Sequence, residues 1–189
     1  MFEELIELYK SYILSTDEKI LKNINRYFDI KTKISKEDLI SSIIDNEKYF
    51  ELLITENYNI NFFKKSVTGE YFPYEYNVNR YECHDVDYVN YRIGISNGEK
   101  VFHYTKNLLP SNVDTVEIRG DYLMISLCSY RGNLIGDDEK LSELKQKSIK
   151  YIEEIRSKFL EINKMHKEYC DNLLSKVQSL YDNKLREEK

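Results

Sequence analysis

Val86-Asp87-Tyr88-Val89-Asn90-Tyr91-Arg92-Ile93-Gly94-Ile95-Ser96 leads into Asn97-Gly98, and Glu99-Lys100-Val101-Phe102-His103-Tyr104-Thr105-Lys106 follows. β-Branched and aromatic residues alternate with polar ones on both sides of a dipeptide that tolerates positive φ, which predicts a β-hairpin closed by a type I′ turn. With Ser96 opposite Glu99, Val89, Tyr91, Ile93 and Ile95 share one face with Phe102 and Tyr104. The other face then carries Tyr88, Asn90, Arg92, Val101, His103 and Thr105, with Arg92 directly across from His103. A second hairpin is predicted from Val113–Arg119 and Tyr122–Tyr130 around Gly120-Asp121, where glycine in the first position suits a type II′ turn. Val116, Ile118, Leu123, Ile125 and Leu127 form its core face; Thr115, Glu117, Arg119, Tyr122, Met124, Ser126 and Cys128 face away.

All six glycines and both prolines lie between Gly69 and Gly136. Inside a helix they cost about 1 and about 3 kcal/mol respectively, and they supply the special dihedrals of turns, so their confinement marks where the chain reverses. The predicted class is α+β. Residues 1–136 form one globular domain, with a helical cluster over 1–68 and an antiparallel β-meander of about four to five strands over 69–136. Residues 137–189 form a long, coiled-coil-like helix.

Within the first part, Phe2, Leu5, Ile6, Leu8, Tyr9, Tyr12 and Ile13 recur at helical spacing. Ser15 and Glu18 match a capping box and predict a fresh helix start, carried on by Ile20, Leu21, Ile24, Tyr27 and Phe28. Ser35 before Lys36-Glu37-Asp38 predicts a third start, with Leu39, Ile40, Ile43, Ile44, Tyr49, Phe50 and Leu53 inward and Asp45-Asn46 as a splitting point. In the last part, Leu141, Ile155, Ile162 and Tyr169 fall in one heptad register and Ile152, Phe159, His166, Leu173 and Leu180 in the other. At 1.5 Å rise per residue a helix of this length spans roughly 75 Å, so it must project, fold back or pair. Oligomerisation is therefore assigned to Ile152, Ile155, Phe159, Ile162, Tyr169, Leu173 and Leu180.

The formal charge is −5, from 28 basic and 33 acidic residues. No segment is a basic arm, which argues against binding a phosphate backbone. Cys83, Cys128 and Cys170 are odd in number and far apart, so reduced thiols are expected rather than a disulfide framework or a zinc finger. The acidic start Met1-Phe2-Glu3-Glu4 lacks the basic region of a secretory signal, and no apolar run is long enough for a membrane span; a cytoplasmic location is expected. Alanine and tryptophan are absent while Lys, Ile, Asn and Tyr abound, the bias of an AT-rich coding sequence from a low-GC bacterium or its phage. That bias also accounts for part of the 17 tyrosines.

Chemistry-bearing clusters are sparse. Cys83-His84-Asp85-Val86-Asp87 gathers metal-capable side chains, yet adjacent residues rarely converge on one ion, so neither a metal nor a cofactor is expected. His103-Tyr104-Thr105 resembles one half of the paired His-x-Thr signature of 2H phosphoesterases, in which two histidines act as acid and base; the second copy is missing. The aromatic, acidic stretch around Tyr74, Tyr76, Tyr81, Glu82 and Tyr88 is assigned to a protein partner, because tyrosine offers large contact area at low entropy cost and the carboxylates repel phosphate. The expected function is a non-catalytic interaction module, an inhibitor of or adaptor in a bacterial defence system. The alternative is a small-ligand or nucleotide binder, or a small phosphoesterase, using Arg92, His103, Glu117 and Arg119 on the polar sheet face.

Overall fold

The computed structural model describes residues 1–30 and 34–188. It has helices at the N-terminus, an antiparallel sheet and a long C-terminal helix. The chain divides into two compact units: Met1–Glu4 with Leu52–Phe159, and Leu5–Glu51 with Leu160–Lys189.

The first unit is built on a sheet of four strands, β1 Leu53–Thr68, β2 Cys83–Ser96, β3 Thr115–Arg119 and β4 Tyr122–Ser129, in the order β1-β2-β4-β3. β4 rather than β3 lies beside β2, and every pairing is antiparallel. A further segment joins through the single bridge between Tyr104 and Arg119.

The assignment of 1–68 to helices fails at β1, which pairs with β2 over almost its whole length. Asn57-Tyr58-Asn59-Ile60-Asn61-Phe62 alternates with a period of two, a strand signal that absence of glycine and proline does not override. The hairpin at Asn97-Gly98 does not form either. Asn97 takes φ 59°, but Gly98 opens a single helical turn, Gly98–Val101. A type I′ turn needs positive φ at both central residues. The place of the expected partner strand beside β2 is taken by β1 and β4, so Arg92 faces Asn59 and Met124 instead of His103.

The second hairpin forms as read. Arg119 pairs with Tyr122 around Gly120, whose φ is +57°. Val116, Ile118, Leu123, Ile125 and Leu127 are fully buried, as are Val89, Tyr91, Ile93 and Ile95 within a few per cent. Gly94 has a different task. Ile93 pairs with Tyr58 and Ile95 with Ile54, so β1 bulges opposite Gly94, where a Cβ would come within 2.7 Å of the Thr55 hydroxyl.

After α1 Glu4–Ile30, α2 Lys36–Asn46 and the short turn α3 Gly98–Val101, the last helix, α4, runs unbroken over Asp138–Glu187. Its buried stripe in the first unit is Leu144, Ser148, Tyr151, Ile155 and Phe159. Phe159 stacks on Phe102 at 5.8 Å and Lys147 pairs with Asp114 at 2.6 Å.

In the second unit, α1 Glu4–Ile30 and α2 Lys36–Asn46 pack with the end of α4. The break expected at Ser15 is absent. The stripe Leu5, Tyr9, Thr16, Ile20 and Ile24 stays buried through that position, and one face held in phase across it is what a continuous helix provides. Ser35 does cap α2, accepting from the Asp38 amide at 3.1 Å. Ile20, Ile24, Ile40, Ile43, Leu173 and Val177 form the core, flanked by Tyr169 and Leu180. His166 is buried, with Tyr9 Oη 3.3 Å from Nδ1, Cys170 Sγ 3.7 Å from Nε2, and Phe50 against its ring at 4.1 Å. Of the residues assigned to oligomerisation, Ile155, Phe159, Ile162 and Leu173 are at most 2% exposed, while Ile152, Tyr169 and Leu180 are half-buried.

Candidate functional site

Alternation sets what the sheet presents on the face away from its core. Asn59, Asn61, Phe63 and Lys65 come from β1, Tyr88, Asn90 and Arg92 from β2, Tyr122, Met124 and Ser126 from β4, and Thr115, Glu117 and Arg119 from β3. One end is closed: Tyr88 is 2% exposed, stacks on Phe63 at 5.0 Å and donates its hydroxyl to the Val113 carbonyl at 3.2 Å. Phe72, Val67 and Cys128 pack around it.

The other end is open. Arg92 and Glu117 flank Met124 across three neighbouring strands. The Arg119 guanidinium donates to Glu117 Oε2 from both Nε and Nη2, at 3.0 and 2.7 Å. That contact pushes the guanidinium's pKa further up and largely cancels its charge toward a ligand. Arg92 lies over the Tyr122 ring at 3.7 Å. A shallow cavity of about 390 Å³ is lined by Thr55, Tyr58, Asn59, Arg92, Gly94 and Tyr122.

Three of the four residues assigned to a ligand therefore share one open face. His103 does not join them. Its carbonyl accepts from the Gly120 amide, and the next residue, Tyr104, bridges Arg119 and lies under its guanidinium, so alternation sends His103 the other way.

A second surface is the loop between β1 and β2. Two 3₁₀ turns, Gly69–Tyr71 and Tyr74–Tyr76, are separated by Phe72 and Pro73, and Asn77 adopts left-handed backbone at φ 46°. The Gly69 amide donates to the Glu82 carbonyl at 2.8 Å and closes the loop. Phe72, 6% exposed, anchors it against Tyr76, Tyr130 and His84. Asn79 braces its tip, taking the Tyr81 amide on Oδ1 and donating to Glu82 Oε1.

On this frame Tyr74 is 83% and Tyr81 97% exposed, and Arg80 covers the Tyr74 ring at 3.9 Å. Glu82 is exposed and Tyr76 half-buried. Tyr88 lies in the core and is no part of this surface. Sequence reasoning missed the Arg80–Tyr74 pair and the exposed Tyr58, Ile60 and Phe62 of β1. The Asn-alternating pattern at 57–62 carried the signal for the latter.

Among groups suited to catalysis, His166 and Cys170 lie 3.7 Å apart, with His166 buried. His84 Nε2 is 3.0 Å from the Asn79 carbonyl, and burial pushes the Cys128 thiol up to about 12 and the Cys170 thiol above its ordinary value. Among the described residues no cluster of three or more His, Cys, Asp or Glu is placed to hold a metal ion, and no helix is long and apolar enough to cross a membrane.

No protein-family model, curated protein or solved structure matches the chain.

Proposed function

We propose that the protein is a non-catalytic interaction module that docks a protein partner through Tyr74, Arg80, Tyr81 and Glu82. The observation that carries this reading is a nearly fully exposed tyrosine, Tyr81, held on a loop that is hydrogen-bonded at its neck and tip and pinned by a buried Phe72. A large aromatic that stays in water on an ordered turn loses little conformational entropy when a partner covers it, and such residues dominate interface energy. Glu70, Glu75, Glu82 and Asp85 surround it and are exposed, which favours a basic protein surface over nucleic acid. Given the AT-rich residue bias, the partner class we propose is a component of a bacterial defence assembly, which this chain would inhibit or join in a low-GC host.

The test is affinity capture from such a host with the intact chain, compared with Tyr74→Ala and Tyr81→Ala variants. Each variant should lose the captured partner while keeping the wild-type melting temperature. Capture that survives both substitutions would reject the loop as the docking surface.

A second reading has its own support in the open sheet face, where Arg92, Glu117 and Arg119 align. An anionic ligand would sit against Arg92 over Tyr122, oriented by Asn59, with His103 outside the site. Calorimetry with linear and cyclic nucleotides tests it: binding that Arg92→Ala abolishes supports a ligand site, and absence of heat with every nucleotide rejects it.

A further inference from the structure

A row of polar side chains crosses the sheet on the face away from its core. Asn61 pairs with Asn90, Asn90 with Ser126, and Ser126 with Thr115, so parity sets all of them on that face. Asn90 is 8% exposed and donates from Nδ2 to Ser126 Oγ at 2.7 Å. Asn90, Ser126 and Thr115 line a cavity of about 220 Å³ together with Glu117 and Met124, and the stacked rings of Phe63 and Tyr88 border it. This cavity shares no lining residue with the one that holds Arg92 and Tyr122.

The hydrogen-bonding capacity here is only partly used. The Glu117 side chain is 16% exposed and takes both Arg119 donors on Oε2, so Oε1 accepts nothing from the described residues. Asn90 Oδ1 likewise accepts nothing from them, since the one hydrogen bond of that side chain runs from Nδ2. A charged ligand of either sign would meet its like: an anion would face the Glu117 carboxylate, and a cation would face Arg119 and the exposed Lys65. The occupant must therefore be uncharged, supply donors to two open oxygens, exchange hydrogen bonds with the hydroxyls of Ser126 and Thr115, and lay an apolar surface on aromatic rings. Adjacent hydroxyls on a saturated ring do all of this. The volume lies below the roughly 300 Å³ of a drug-sized site, which limits the occupant to one such ring.

We propose that this cavity binds a single neutral sugar residue, free or at the end of a glycan. Glu117 Oε1 and Asn90 Oδ1 accept from its hydroxyls, Thr115 and Ser126 bond to their neighbours, and its C–H face lies toward Phe63 and Tyr88. Arg119 acts as a positioning residue that holds the Glu117 carboxylate in place.

Saturation-transfer NMR on the intact chain tests the site, with glucose, galactose, mannose and N-acetylglucosamine offered both free and as methyl glycosides. At least one sugar should take up saturation from the protein. Transfer to the free form assigns the site to a monosaccharide; transfer to the glycoside alone assigns it to a glycan end. The dissociation constant should rise about tenfold in Glu117→Gln and severalfold in Thr115→Val. Thr115→Val removes one hydroxyl at constant shape, so it decides the matter should Glu117→Gln, which also releases Arg119, disturb the fold. No transfer to any of these sugars, or a constant indifferent to Thr115→Val, would overturn the proposal, as would binding lost in Arg92→Ala, which would move the ligand to the neighbouring cavity. Nucleotide binding and partner capture are read separately. Tyr81→Ala should leave sugar binding unchanged, so failure here leaves the loop reading standing, and failure of the loop reading leaves the sugar site standing.

Discussion

Thr105 shows how much a single side chain holds in place. It is 2% exposed, and its hydroxyl accepts from the Ile118 amide at 2.8 Å, completing the edge of the sheet beside β3. Replacing it with valine keeps the shape and orphans a buried donor, so urea denaturation should show a loss of about 1–3 kcal/mol. Tyr88→Phe should behave differently. The Val113 carbonyl loses one bond, and the loss should be near 1 kcal/mol with partner capture untouched, since Tyr88 is in the core. Tyr81 is the converse, with 97% of its surface in water, so its truncation should leave stability alone and act on binding only. Sequence could not separate these tyrosines. All sit in one aromatic stretch, and whether each packs or protrudes depends on where Phe72 and the Asn79 bonds pin the loop.

At the scale of elements, α4 is the decisive case. Its heptad pattern offered three fates, and four of its seam residues, Ile155, Phe159, Ile162 and Leu173, are buried within the chain. Phe159→Ala should cost about 3–5 kcal/mol by emptying the site against Phe102, and sedimentation should show no change in association. The β3–β4 hairpin was legible because its alternation and its glycine turn agree. Asn97-Gly98 was not, for the turn dipeptide says nothing about which strands flank β2, and pairing with β1 and β4 buries both of its long edges. β1 itself was hidden by a rule about breakers, although its Asn-alternating period was present. Of the candidate ligand residues, parity put Arg92, Glu117 and Arg119 on the non-core faces of their strands, and the β2–β4–β3 adjacency joins those faces, while His103 failed with the hairpin that carried it.

The whole molecule is rich in buried phenols, and that fixes its response to alkali. Burial raises the pKa of Tyr9, Tyr88 and Tyr169 above the ordinary 10.0, and takes the Tyr130 phenol and the Cys128 thiol up to about 12. A folded pKa above the unfolded one means that the folded chain keeps protons the unfolded chain has released. The associated stability is intact below pH 9 to 10, the unfolded values, and falls as pH rises toward about 12. Denaturant titrations at increasing pH should show that decline, with phenolate absorbance rising in step with unfolding. Stability unchanged across this window would mean that these groups are not buried as described. Docking through the loop is the central functional claim, and hydroxyl-radical footprinting of the intact chain, alone and in complex with its captured partner, tests it most directly. Tyr74 and Tyr81 should be labelled strongly in the free protein and protected in the complex; continued labelling of both, with protection appearing on another surface, would contradict the claim.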